Sequence, residues 1–286
     1  MTTSPLVSVE WLADRLGDAS LLIVDIRSTE SGGQDAFEAG HIPGAVHSDY
    51  AADGWRIAEG GAGGLLPDAA RLTPLLNRIG LTPDHHAIIV SAGVSASDFS
   101  AAARVFWTLK VVGHGPVSIL DGGYRTWHNA RMPEAMGPSL SRVSEAYPIR
   151  FDENLRAKAD AVETAIARTG TTLLDGRSQA QFDGREKSPQ VARAGHLPGA
   201  VHLDHGRVFQ PSTGRLRPRA ELEQLFASIP SRPVISYCNT GHLASTNWFV
   251  LSQVLRRPDV TLYDGSMSEW AQDPGRPVVV ESEDGQ

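Results

Sequence analysis

The chain has 286 residues, a hydrophobic fraction of 41% and a net charge of -7, enough for two packed domains of ordinary size. The acidic balance leaves no basic excess to neutralise phosphates, which excludes a general nucleic-acid binder. A single cysteine excludes an intramolecular disulfide and a cysteine-rich zinc centre, and the ten histidines show no metal-ligand spacing, so no metal and no cofactor is expected.

The first residues, Met1-Thr2-Thr3-Ser4-Pro5-Leu6, carry no basic region followed by an apolar run. No apolar stretch approaches the ~18 residues needed to cross a bilayer. A cytoplasmic protein is expected, a monomer or weak dimer with no membrane or nucleic-acid partner. In chain order, Ser8 is placed to cap a helix over 9–16. Continuous runs rich in Val, Ile and Leu at 21–25, 87–91 and 117–120 predict strands buried on both faces of a parallel sheet. The stretch 132–147 contains Pro, Ser and Gly without periodicity and is read as a linker. It separates a domain over 1–131 from one over 151–286, with 132–150 between them. Beyond it, Asp160 with Glu163 makes a capping-box pattern before a helix over 161–168. Strand-like runs return at 172–175, 233–237 and 260–263, with helical spacing over 219–228 and 243–255. Alternating strands and helices predict an α/β fold, each domain a mainly parallel sheet flanked by helices.

The two halves repeat each other. Asp25-Ile26-Arg27 answers Asp175-Gly176-Arg177, and Gly40-His41-Ile42-Pro43-Gly44-Ala45 answers Gly195-His196-Leu197-Pro198-Gly199-Ala200. The run ending at Ser91 answers the run ending at Cys238, and Asp121-Gly122-Gly123 through Trp127 answers Asp264-Gly265-Ser266 through Trp270. Four matches in one order, at offsets of 143 to 155 residues, indicate a duplicated domain rather than a solenoid.

Cys238 sits where a buried strand ends and a glycine-containing loop leads into a helix. Such a loop turns backbone N–H groups inward, and these with the helix dipole stabilise a sulfur anion. A thiolate so stabilised is a nucleophile, and covalent catalysis on it would split one transfer into two easier steps. Gly241 supplies the tight turn. Ser91 stands at the equivalent position of the first half and lacks sulfur's nucleophilicity, so that half is expected to be structural. Asp175 and Arg177, like Asp25 and Arg27, are expected to pair and hold loop backbone near the site. Asp264 has a similar structural role at the site edge. His41 and His196 occur in both halves, inactive one included, which favours a structural role.

These residues resemble the tandem rhodanese family of thiosulfate and 3-mercaptopyruvate sulfurtransferases over roughly 6–280. The resemblance implies two rhodanese-like domains, the first without its cysteine and inactive, the second catalytic through Cys238. It implies substrate binding by the loop residues Asn239, Thr240, Gly241, His242 and Leu243. It also implies a small sulfur donor and a thiol, cyanide or thioredoxin-like acceptor. The thiosulfate type carries Cys-Arg-Lys-Gly-Val-Thr and the mercaptopyruvate type Cys-Gly-Ser-Gly-Val-Thr, whereas this loop reads Cys238-Asn239-Thr240-Gly241-His242-Leu243. Gln181 stands where the thiosulfate type has a substrate-binding arginine, with Arg185 close by as its substitute. The first-domain His of the mercaptopyruvate type is absent from Gly63-Gly64-Leu65-Leu66-Pro67. A phosphatase of the Cys-x5-Arg type is excluded, because Ala244 occupies the arginine position. The remaining alternative is a non-enzymatic sulfur carrier loaded by a partner protein.

Overall fold

The computed structural model describes residues 3–139, 145–210 and 212–281. The chain forms two units, and each takes one segment from the other half of the sequence. The first comprises the chain up to Arg56, Leu66–Asp152 and Phe209–Leu216; the second comprises Ile57–Leu65, Glu153–Val208 and the chain from Arg217.

In the first half the elements are β1 (Leu6–Val7), α1 (Val9–Ala13), β2 (Leu21–Asp25), α2 (Gly33–Ala39), β3 (Val46–His47), the pair β4 (Ile57–Glu59) and β5 (Ala62–Leu65), α3 (Ala69–Arg78), β6 (His86–Val90), α4 (Ala96–Val111), β7 (Val117–Leu120) and α5 (Gly123–Asn129). Strands β1-β7-β6-β2-β3 make one parallel sheet in that order. Its central strands are buried along their length, as the continuous apolar runs predict. Ser8 caps α1 by accepting a hydrogen bond from the Trp11 N–H.

The second half repeats the pattern with β8 (Arg156–Ala157), α6 (Ala159–Ala167), β9 (Thr172–Asp175), α7 (Gln179–Asp183), β10 (Val201–His202), α8 (Arg219–Leu225), β11 (Val234–Tyr237), α9 (Ala244–Phe249), β12 (Val260–Tyr263) and α10 (Ser266–Trp270). Strands β10-β9-β11-β12-β8 form the second parallel sheet. Two local expectations fail. Helix α6 begins at Ala159 with Lys158 at its cap, so Asp160 lies inside the first turn and makes no capping box. A complete box forms instead at Ser95 and Asp98, ahead of α4. The helix expected over 243–255 is α9 followed by a π-helical stretch, Val250–Val254.

Residues 140–144 of the expected linker lie outside the described residues. Both flanks are hydrogen-bonded within the first unit, Ala135 to His41 and Arg150 to Val112. Tyr147 closes over His114, whose Nδ1 lies 2.8 Å from the tyrosine oxygen. Burial pushes the His114 imidazolium down to about 4 from an ordinary 6.5, with Lys110, His85 and His86 adding like charge. The unfolded chain therefore binds a proton between these values that the folded unit refuses. Stability contributed by neutral His114 is complete above pH 6.5 and is lost as pH falls toward 4. Replacing His114 by Gln is expected to flatten the loss of thermal stability of the first unit between these limits. An unchanged acid slope in the variant counts against this assignment.

Candidate active site

The duplicated Asp-x-Arg ends form matching buried pairs. Arg27 grips Asp25 through Nε and Nη2 at 3.0 and 2.8 Å, and Nη2 also donates to the Gly40 carbonyl. Arg177 does the same to Asp175 at 3.0 and 2.6 Å and donates to the Gly195 carbonyl. Burial opposes the charge on Arg177 and the Asp175 carboxylate outweighs it, so the guanidinium holds its proton more tightly than usual. His41 and His196 stack on Phe37 and Phe182 and bond the carbonyls of those residues through Nδ1. Their repeated geometry is structural.

Cys238 follows β11 and is fully buried. Its carbonyl accepts from the Met267 N–H at 3.1 Å, and the Asn239 carbonyl accepts from the Ser268 N–H at 2.8 Å. These bonds turn both carbonyls toward α10. The Cys238 and Gly241 N–H groups both donate to Ser266 Oγ, each at 3.0 Å. The amides of Asn239 and Thr240 are not consumed in this way. Gly241 takes φ +70°, a conformation that favours glycine and closes the turn. Its carbonyl accepts from Ser245 Oγ at 2.7 Å, which ties the loop to α9. Ser266, absent from the expected site, is the central hydrogen-bonding residue of this loop. A serine in a repeated Asp-Gly-[Gly/Ser] segment was the available signal.

The remaining expected residues fall in different places. Asp264 receives a two-pronged bond from Arg156 at 2.8 and 2.9 Å. Gln181 Oε1 accepts from Asn239 Nδ2 at 3.0 Å and so touches the loop. Arg185 pairs with Asp183 at 2.8 Å, its side chain 55% exposed. His242 and Leu243 are half-buried and lead into α9. Thr240 is buried, and the β4–β5 hairpin lies against it: a Cβ on Gly64 would run into the Thr240 carbonyl. Ser268 Oγ donates to Gly63 O and Gln272 Nε2 to Gly61 O, which fixes the hairpin there. Gly63 and Gly64, from a stretch read in the sequence only for its missing His, therefore contribute a wall beside the loop of the second unit.

In the first unit the same frame surrounds Ser91. Tyr124 and Arg125 N–H groups bond the Ser91 and Ala92 carbonyls at 2.8 and 3.0 Å, mirroring Met267 and Ser268. The residue matching Ser266 is Gly123. Asp121, matching Asp264, accepts from the Leu216 N–H, and burial pushes its carboxyl up. Among the described residues no group of His, Cys, Asp and Glu could hold a metal ion, and no helix is long and apolar enough to cross a membrane.

A duplicated α/β domain with one cysteine on a strand-to-helix loop defines a class of sulfur-handling proteins. The rhodanese-like domain matches twice, over residues 8–130 and 158–273, and the chain belongs to that family. A thiosulfate sulfurtransferase of Corynebacterium glutamicum is 32% identical over 96% of this chain and 89% of its own. A probable 3-mercaptopyruvate sulfurtransferase of Pseudomonas aeruginosa is 34% identical over 97% of this chain and 99% of its own. The crystal structure of a 3-mercaptopyruvate sulfotransferase, SseA of Escherichia coli, superposes with a TM-score of 0.80 at 27% identity, covering 92% of this chain and 99% of that one.

Proposed function

We propose that this chain moves sulfane sulfur from a small donor to a nucleophilic acceptor through a persulfide on Cys238, with 3-mercaptopyruvate preferred over thiosulfate. It is an enzyme of the sulfurtransferase class, which its family and its full-length relatives support. The Cys238 thiolate attacks the donor sulfur. With 3-mercaptopyruvate the C–S bond breaks and the carbon takes the electron pair, then a proton, leaving pyruvate. With thiosulfate the S–S bond breaks and sulfite leaves. An acceptor such as cyanide, a small thiol or a thioredoxin-like protein then attacks the outer sulfur, and the pair returns to Cys238 Sγ.

The observation that carries the donor preference is the uncharged rim of the loop. Asn239, Thr240, Gly241, His242 and Leu243 supply amides and a hydroxyl but no Arg or Lys. Asn239 is paired with Gln181 rather than with a cation. A thiosulfate dianion gains less from such a rim than the monoanion 3-mercaptopyruvate, which hydroxyl and amide donors can serve. Arg185 is the cation left to meet a donor carboxylate, after release from Asp183.

The test is made at Gln181, whose side chain touches the loop through Asn239. Gln181→Arg is expected to lower the thiosulfate KM about tenfold relative to that for 3-mercaptopyruvate, the effect of one charge-assisted hydrogen bond. Paired steady-state assays of both donors read this ratio. A wild type that strongly prefers thiosulfate, with a ratio unmoved in the variant, overturns the preference and redirects attention to Arg185 and His242.

A further inference from the structure

We infer that Ser266 is the positioning residue of the sulfur-carrying loop, and that its hydroxyl is what separates an active from an inactive domain of this chain besides the cysteine itself. The hydroxyl makes three hydrogen bonds. It accepts from the Cys238 and Gly241 N–H groups at 3.0 Å each and donates to the Tyr263 carbonyl at 2.7 Å. One oxygen thus spans both ends of the turn that holds the nucleophile and is itself fixed to the end of β12. With the first and last amides tied back to Ser266, the amides of Asn239 and Thr240 are the ones this hydroxyl leaves for a sulfur anion.

The backbone carries a cost for this. Ser266 is fully buried at φ +50°, a conformation that side-chain-bearing residues seldom adopt. Such strain persists where the surroundings hold it, and it points from an observed outlier to a role. The duplicated domain supplies the contrast within one molecule. Its counterpart Gly123 has φ +61°, and a Cβ there would run into the Ser91 carbonyl. The first unit therefore reproduces the carbonyl-binding amides of Tyr124 and Arg125 but has no hydroxyl across the loop and no room for one. Its loop is also shorter, reaching the left-handed glycine at Gly93, two residues after Ser91, against three from Cys238 to Gly241.

The role is tested with Ser266→Ala, which removes the oxygen, and Ser266→Gly, which removes it while relieving the backbone strain and copies the residue the first unit folds with. The persulfide is loaded with inorganic polysulfide: the Cys238 thiolate takes one sulfur atom, an S–S bond of the polysulfide breaks, and the electron pair leaves on the shortened chain. Cyanide then attacks the outer sulfur, thiocyanate leaves, and the thiolate is regenerated. This route tests the loop independently of which physiological donor the enzyme uses. Both half-reactions are expected to slow roughly ten- to hundredfold in both variants at saturating reagent, with apparent KM for polysulfide and cyanide within about threefold of wild type. Hydrogen exchange at the peptide spanning the loop is expected to rise in parallel. Ser266→Gly retaining rates within twofold of wild type overturns the inference, because relief of strain with loss of the hydroxyl would then be neutral. A loss confined to KM, or to loading alone, also overturns it, since it would make Ser266 a donor contact.

Discussion

Replacing Cys238 by Ser is expected to abolish sulfur transfer, by at least roughly a thousandfold, while leaving the fold intact. The loss is large because no second thiol exists to take over. Oxygen at this position lacks the polarizability to attack a sulfur donor, and it cannot carry a sulfane sulfur. The fold survives because the loop is held through the Cys238 N–H and carbonyl, bonded to Ser266 and to the Met267 N–H, and not through Sγ. Serine fills the position in the first unit, where the same carbonyl-to-amide frame forms around Ser91. Intact-protein mass after incubation with donor is expected to rise by one sulfur in wild type only. Turnover by a wild type that never gains this mass would sink the persulfide route.

The second large effect is on stability. Asp175→Ala is expected to destabilise the second unit by about 3–5 kcal/mol, the cost of leaving a buried cation without its partner. Asp175 is fully buried and the Arg177 side chain is only 3% exposed, so water cannot replace the lost carboxylate. Asp25→Ala is expected to cost the first unit a similar amount, because the Asp25–Arg27 pair is its structural twin. Replacing both Asp175 and Arg177 by apolar residues of similar volume is expected to recover most of the loss, since a buried pair contributes little net stability once its desolvation is counted. Chemical denaturation followed for the two units separately reads these shifts. A single-variant loss below about 1 kcal/mol would show that the guanidinium finds adequate partners in loop carbonyls alone.

Much of the architecture is written locally. The runs at 21–25, 117–120, 172–175 and 260–263 are strands at those bounds, because strands buried on both faces are apolar along most of their length. The site is legible to the extent that its chemistry is local: Cys238, the turn at Gly241, and the Asp175–Arg177 pair two residues apart. Helix ends were less legible. Asp160 has the residue types of a cap, but Ala159 is already helical and buried ahead of it, and packing decided the boundary.

The duplication, the α/β class, and the placing of the only thiol on the second strand-loop-helix are legible in the chain without its fold. These follow from periodicity and from single residues whose chemistry has no substitute. Which distant groups complete that loop follows from the folded chain. Ser266, 28 residues beyond Cys238, binds its amides. Gly63 and Gly64, from the other half of the chain, wall Thr240. Gln181 rather than Arg185 reaches Asn239. Glycines and serines carry no hydrophobic pattern, and a hydrogen bond across such separations depends on the return of the chain through the sheet, which no local sequence signal encodes.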